Sequence, residues 1–251
     1  TALYFVTKGK TLPAVKESHR FPKKFFISSI VSKLSTVSFL SLDLILVKHF
    51  LNPIEAGKYA LLSLVGKMIF FAGMLFAQFI IPLVSRAQGE NKSTSSIFYP
   101  LLLVSCLAVY IGFLALGLLG QITVPFLFGS SADAIVPYLP VYTLGMSYFT
   151  LASITVAYHQ TKKQHFFVLA SLLMALFQIV AISTFHADLK IVVELISTIG
   201  IIYLISVAFL HLYYKPVKSI IANFNELFGL SPSPAKWKPL FVPSYKLRIL
   251  I

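Results

Sequence analysis

The chain has 251 residues, of which 57% are hydrophobic and 12% charged, with 21 Lys plus Arg against 8 Asp plus Glu and a formal net charge of +13. A soluble domain carries about 25% charged residues, so this composition, with a mean hydropathy of +0.85, excludes a water-facing globular enzyme. The basic residues punctuate long apolar runs instead of covering a polar face, which argues against nucleic acid as a partner and for membrane topology.

Residues 1–24 form a basic segment with no signal-peptide pattern, predicted to be a cytoplasmic connector. A bilayer core of about 30 Å needs about 20 mostly apolar residues in helical form. Six such stretches follow, at residues 25–48, 57–85, 97–120, 134–158, 166–185 and 189–214. All are too long for strands, and none alternates as an outer-membrane barrel strand does. Asn52, Pro53 and Gly57 separate the first two spans, residues 86–96 follow the second, and Ser130, Ser131 and Asp133 start the fourth. Pro137 and Pro140 fall in the first turns of that helix, where a missing N–H is tolerated. Beyond the sixth span, Val217, Ile220, Ile221, Phe224, Leu227 and Phe228 recur at helical spacing, as in a helix lying in the interface. From Ser231 onward Pro, Lys and aromatic residues predict an extended tail held to anionic lipid. The expected fold class is therefore all-α, a six-transmembrane-helix bundle over residues 25–214 with an interfacial helix and basic tail over 215–251.

Short cytoplasmic loops collect Lys and Arg. One side of the predicted bundle receives all the basic residues of the N-terminal segment, Arg86 and Lys92, Lys162 and Lys163, and the whole basic tail, whereas the other receives Lys48, Lys58 and Lys190. The imbalance puts both chain ends on the cytoplasmic face of a cell membrane.

Ionisable groups inside a span are the informative ones, because an unpaired charge at the bilayer centre costs at least about 2.5–3.5 kcal/mol. Lys67 lies close to the midplane, Lys33 somewhat to the cytoplasmic side, Asp43 in the outer half of the first helix and Glu194 near the outer end of the last. Lys33, Lys67 and Asp43 are the candidate substrate-binding residues, on a water-filled cavity whose cations attract an anionic headgroup. The competing reading has the lysines paired within the bundle or snorkelling to the interface. Asp43 falls about 80° around the helix from Lys33, so the two do not bond directly. Glu194 and Pro82 are candidate coupling or gating positions, Pro82 as a helix kink. Tyr138, Tyr142 and Tyr148 read as an interfacial belt, and His159 as a helix-end histidine beside Lys162 and Lys163.

Catalytic motifs are missing: the sequence has no Gly-rich phosphate loop, no His-Glu-x-x-His and no Gly-x-Ser-x-Gly. Its single cysteine, Cys106, forms no paired-Cys motif. No catalytic residue, metal ligand or cofactor is expected, and the protein is not expected to be an enzyme.

The stretch from Leu42-Asp43 to Lys48, then Glu55-Ala-Gly57-Lys-Tyr59-Ala, Leu64-Val-Gly66-Lys67 and Ile81-Pro82-Leu-Val-Ser85 resembles bacterial polysaccharide and O-antigen flippases, of the superfamily that includes multidrug extrusion antiporters. Pro125-Phe-Leu-Phe-Gly129, and the helix ending Tyr158-His159-Gln160-Thr-Lys162-Lys163, are similar to the next block of that family. The resemblance covers residues 25–214 and matches the family's second half. It implies one of two six-helix bundles that together enclose a cavity of alternating access. A lipid-linked oligosaccharide or polysaccharide repeat unit would be the substrate, membrane lipid the surroundings and a missing N-terminal six-helix half the partner. The chain is accordingly expected to be a fragment. The alternatives are a multidrug or cation extrusion antiporter of the same superfamily, or a membrane scaffold or transferase of a glycan assembly complex.

Overall fold

The computed structural model describes residues 23–227, with side chains over 26–214 apart from Ser130. The predicted N-terminal connector, most of which precedes residue 23, and the tail beyond residue 227 lie outside the described residues. The described residues are helical almost throughout and contain no strand. In chain order they form α1 (Lys23–Phe50), α2 (Pro53–Ala77), α3 (Ile80–Gly89), α4 (Ser95–Phe113), a π turn (Leu114–Leu118), α5 (Gly120–Phe128), a 3₁₀ segment (Ser130–Tyr138), α6 (Leu139–Thr161), α7 (Phe166–Thr184) and α8 (Leu189–Leu227). Six of the resulting helical stretches are long and apolar enough to cross a membrane, which makes this an all-α, multi-pass membrane bundle.

Local sequence explains the breaks. Asn52 caps α2 by accepting from the Glu55 N–H at 2.9 Å, and Pro53 occupies the first turn. Such a cap is worth about 1 kcal/mol. The expected second span is two helices: α2 stops at Ala77 and α3 starts at Ile80, four residues after Phe76 and two before Pro82. Pro82 has no N–H to offer the Gln78 carbonyl, and its ring crowds that carbonyl, so the ladder opens at Gln78 and Phe79. The third span widens into the π turn, where the Leu119 N–H donates to the Leu114 carbonyl at 2.9 Å, and Thr123 Oγ1 donates to the Ala115 carbonyl at 2.6 Å.

The fourth span is the hub. Of its most apolar stretch 72% is buried, against 22–44% for the other five spans. It is also the least apolar of the six, and its hydroxyls explain how it tolerates the centre. Thr143, Ser147, Thr150 and Ser153 each donate to the carbonyl four residues earlier, at 2.6, 2.7, 2.6 and 2.8 Å. Each polar group is thereby satisfied by its own helix and leaves a small, apolar exterior for neighbours to approach. The closest approach is to α8: a Cβ on Gly145 would stand 2.5 Å from Ser197 Cα, and one on Gly200 would stand 2.5 Å from the Gly145 carbonyl oxygen. Gly66 and Gly73 likewise admit Tyr142 and Thr150 of α6 against α2, whereas Gly57 faces open space.

Aromatic stacking fills the middle, with Phe39 of α1 stacked on Phe149 of α6 at a centroid distance of 3.7 Å and Phe149 in turn against Tyr203 of α8. Large apolar side chains such as Leu34, Phe71, Leu103, Val180 and Ile205 point outward, as a lipid-facing surface requires.

The two ends of the bundle are distinct. Ser29 meets Gln160, Thr94 meets Tyr158, and Tyr99 meets His211 at the end that carries Arg86, Lys92, Lys162 and Lys163. Phe50 stacks on His186 at the other, near Lys48 and Lys190. α8 continues to Leu227, but Tyr213 has non-helical backbone angles (φ −108°, ψ 17°), so the helix divides where the sixth span was expected to end.

Candidate functional site

Asp43 lies in the interior of the bundle, only 2% exposed, facing α2 and α6. Its position follows from the hairpin that Asn52 and Pro53 close: Asp43 and Tyr59 are equidistant from Leu51, so both sit at one depth, about 12 Å from the turn at 1.5 Å per residue. Tyr59, fully buried, donates its hydroxyl to Asp43 Oδ2 at 2.5 Å. That distance is in the short range of a charge-assisted O–H···O⁻ bond.

The other half of the carboxyl has no such partner. Asp43 Oδ1, Tyr142 Oη and Ser63 Oγ are all buried without a hydrogen bond. The Tyr142 hydroxyl interacts electrostatically with Asp43, Tyr59 and Ser63, and its ring packs edge-on to Tyr59 at 5.9 Å. Two unpaired hydroxyls, from α2 and α6, therefore accompany a carboxyl of α1 whose own Oδ1 is unpaired, in a low-dielectric interior where an unmade hydrogen bond costs about 1–3 kcal/mol each. Most buried polar atoms of native proteins are paired; in this bundle Ser28 Oγ, Ser105 Oγ and Gln178 Oε1 are also buried without a partner, but among these atoms Asp43 Oδ1 is the one that belongs to a carboxyl. The arrangement can take up a positive species at Oδ1, or present a carboxylate that draws a cation inward.

Lys67 is two α-helical turns beyond Tyr59 on α2, partly buried, and its charge acts on Asp43. Lys33 is exposed on another face of α1 and makes no hydrogen bond or ion pair among the described residues. The structure thus brings Lys67 and Asp43 into electrostatic reach and leaves Lys33 apart from both. Glu194 is exposed near the start of α8, with its carboxylate 3.9 Å from Lys190 Nζ, beside a shallow cavity of about 270 Å³ that also involves Pro137 and Tyr138. Pro82 is exposed on α3 at the helix break already described.

Tyr59 and Ser63 are not among the sequence-predicted site residues, and Tyr142 is not part of an interfacial belt: it is fully buried beside Tyr59. The signal for Tyr59 was present: a hydroxyl placed symmetrically with an acid about a predicted tight turn. For Tyr142, which is remote in sequence and approaches through the gap left by Gly66, only the packing reveals the role. No family model, curated protein or solved structure matches this chain.

Proposed function

We propose that this chain is a membrane transporter of the flippase kind, moving lipid-linked oligosaccharide or polysaccharide repeat units across the cell membrane by alternating access, with its basic end on the cytoplasmic side. The observation that supports the reading is the half-satisfied Asp43 carboxyl inside a spanning bundle, within reach of Lys67. Buried ionisable groups at membrane depth mark substrate and ion pathways, because bundles that lack such a task avoid their cost. In this reading Lys67, with Lys33 on the open face of α1, attracts the phosphate-bearing headgroup. Asp43, tied to Tyr59, responds to the driving ion. A second six-helix bundle would cover the exposed face and close the cavity.

The test uses the protein purified from its native membrane with whatever bundle accompanies it, placed in liposomes with a fluorescent polyprenyl-diphosphate oligosaccharide. Translocation is read from the label's exposure to an impermeant quencher. Lys67→Ala is expected to abolish translocation while insertion is unchanged, and Lys67→Arg to preserve it. Full activity of Lys67→Ala would remove that residue from the site. A cation extruder is the second reading, favoured by the burial of an acid. Efflux of an organic cation that Asp43→Asn eliminates, with no movement of the glycolipid, would establish it in place of the flippase.

A further inference from the structure

At the basic end of the bundle, His159 of α6 and His211 of α8 stand ring to ring, with His159 Nε2 2.7 Å from His211 Nδ1. On the far side of His159, Nδ1 bonds Gln164 Oε1 in the α6–α7 turn. On the far side of His211, Nε2 lies 3.4 Å from the Tyr99 hydroxyl of α4. His159 is 4% exposed and stacks flat on Phe167 of α7 at a centroid distance of 3.6 Å. His211 is only partly covered and lines a mostly apolar cavity of about 320 Å³ with Phe98, Tyr99, Leu102, Leu204 and Leu212, between α4, α6 and α8. Residues from four helices and one turn therefore converge on two imidazoles.

Counting protons decides what this arrangement can do. With both rings neutral, each of the three contacts holds one hydrogen: Tyr99 O–H donates to His211 Nε2, His211 Nδ1–H to His159 Nε2, and His159 Nδ1–H to the Gln164 carbonyl. One further proton is accommodated without breaking anything, because Tyr99 can rotate to accept from His211 Nε2–H, leaving an imidazolium bonded to a neutral imidazole. A second is not. It would set N–H against N–H across 2.7 Å and place two cations in contact.

The surroundings reinforce that limit. Lys162, the residue that follows α6, acts on both rings, and no carboxylate among the described residues does. The other titratable groups nearby are Tyr158 of α6, bonded to Thr94, Cys106 of α4, and Tyr214 of α8 near His159. None supplies a compensating negative charge near neutral pH.

We propose that His159 and His211 form a proton-binding site that fastens the last turns of the α8 span to α6 and α4 when it holds one proton or none, and releases those turns when both rings are charged. The non-helical backbone at Tyr213 lies two residues beyond His211, so the last turn of the span is not held from its far side by a continuous helix. The half-exposed Tyr99 gives protons access from the basic end. The site is independent of what the bundle carries: it concerns how the last helix is held, and it lies at the end opposite the Asp43 turn.

The experiment follows the imidazole ¹⁵N resonances of the whole protein in lipid nanodiscs through a pH titration. Spin labels at Leu103→Cys and Leu212→Cys, in a Cys106→Ser background, report the α4–α8 distance. The pair is expected to titrate in two macroscopic steps more than about one pH unit apart, with the distance increasing only at the second. In His211→Gln, His159 is expected to titrate in a single step and the distance to be independent of pH; His159→Gln should do the same to His211. Two histidines that titrate independently in the unaltered protein, or a distance that changes equally in His211→Gln, would overturn the proposal. Monodispersity and helical circular dichroism of each variant separate these outcomes from misfolding.

Discussion

The Tyr59 hydroxyl reaches the Asp43 carboxyl at 2.5 Å because the Asn52-Pro53 turn folds α2 back along α1 with the two residues level. The contact joins a buried acid to a buried donor, and removal of either partner strands the other. Tyr59→Phe is therefore expected to destabilise the bundle by about 1–3 kcal/mol. Tyr142→Phe, one ring away, leaves the Tyr59–Asp43 bond in place and removes a hydroxyl with no partner at hydrogen-bonding geometry, and is expected to cost less than Tyr59→Phe. Denaturant unfolding in detergent micelles measures both; equal losses would mean that Tyr142 has a partner in the folded protein.

Packing between α6 and α8 is governed by the absence of side-chain atoms. Gly145→Ala places a methyl group 2.5 Å from Ser197 Cα, a backbone atom that cannot move alone. A loss of about 1–3 kcal/mol or more is expected as the helices separate. Gly57→Ala meets nothing within 4 Å inside α2 and should instead gain roughly 0.5–1 kcal/mol, since alanine restricts the unfolded chain. The two substitutions, compared by thermal unfolding, should move the midpoint in opposite directions.

Pro82→Ala restores an amide at position 82 opposite the Gln78 carbonyl. The gap between α2 and α3 should then close into one continuous helix. Amide exchange across residues 76–84 is expected to slow by roughly three- to tenfold, the equivalent of an added hydrogen bond of about 0.5–1.5 kcal/mol. Exchange that stays as fast as before would mean that tertiary contacts, not the proline, hold the break open.

Outside the spans, Glu90 sits between Lys92, 2.7 Å away, and Arg86, 2.9 Å away. Hydrogen bonds from Lys92 and then Arg86 hold its carboxyl below the usual carboxylate range. A depressed folded-state pKa contributes stability above the unfolded pKa, and that contribution disappears as pH falls through the folded value. The Glu90→Gln variant should accordingly melt slightly below the unaltered protein at neutral pH and together with it in acid. The group is exposed, so the difference should also vanish in high salt. A gap that persisted in acid would show that Glu90 acts through something other than charge.

Much of this architecture is legible in the chain itself. Six apolar stretches of sufficient length have few alternatives in a bilayer, because only helices satisfy their own backbone there. The kink at Pro82 and the cap at Asn52 are equally local, each set by whether one residue can donate or accept a hydrogen bond. The offset of Lys33 from Asp43 around α1 follows from helical periodicity alone, and the structure has Lys33 exposed and Asp43 buried.

What the sequence by itself determined is therefore what depends on neighbours along the chain: the number of spans, the kink at Pro82, the distribution of basic loops and the angular offset of Lys33 from Asp43. Tertiary structure alone decided which faces meet. Glycine at 66, 145 and 200 permits close approach but does not name the partner, and only the assembled bundle sets Tyr142 beside Asp43 and His211 beside His159. The physical reason is that a pairing across 52 or 99 residues is selected by the combined fit of whole helix surfaces, whereas a helix is selected by hydrogen bonds that span four.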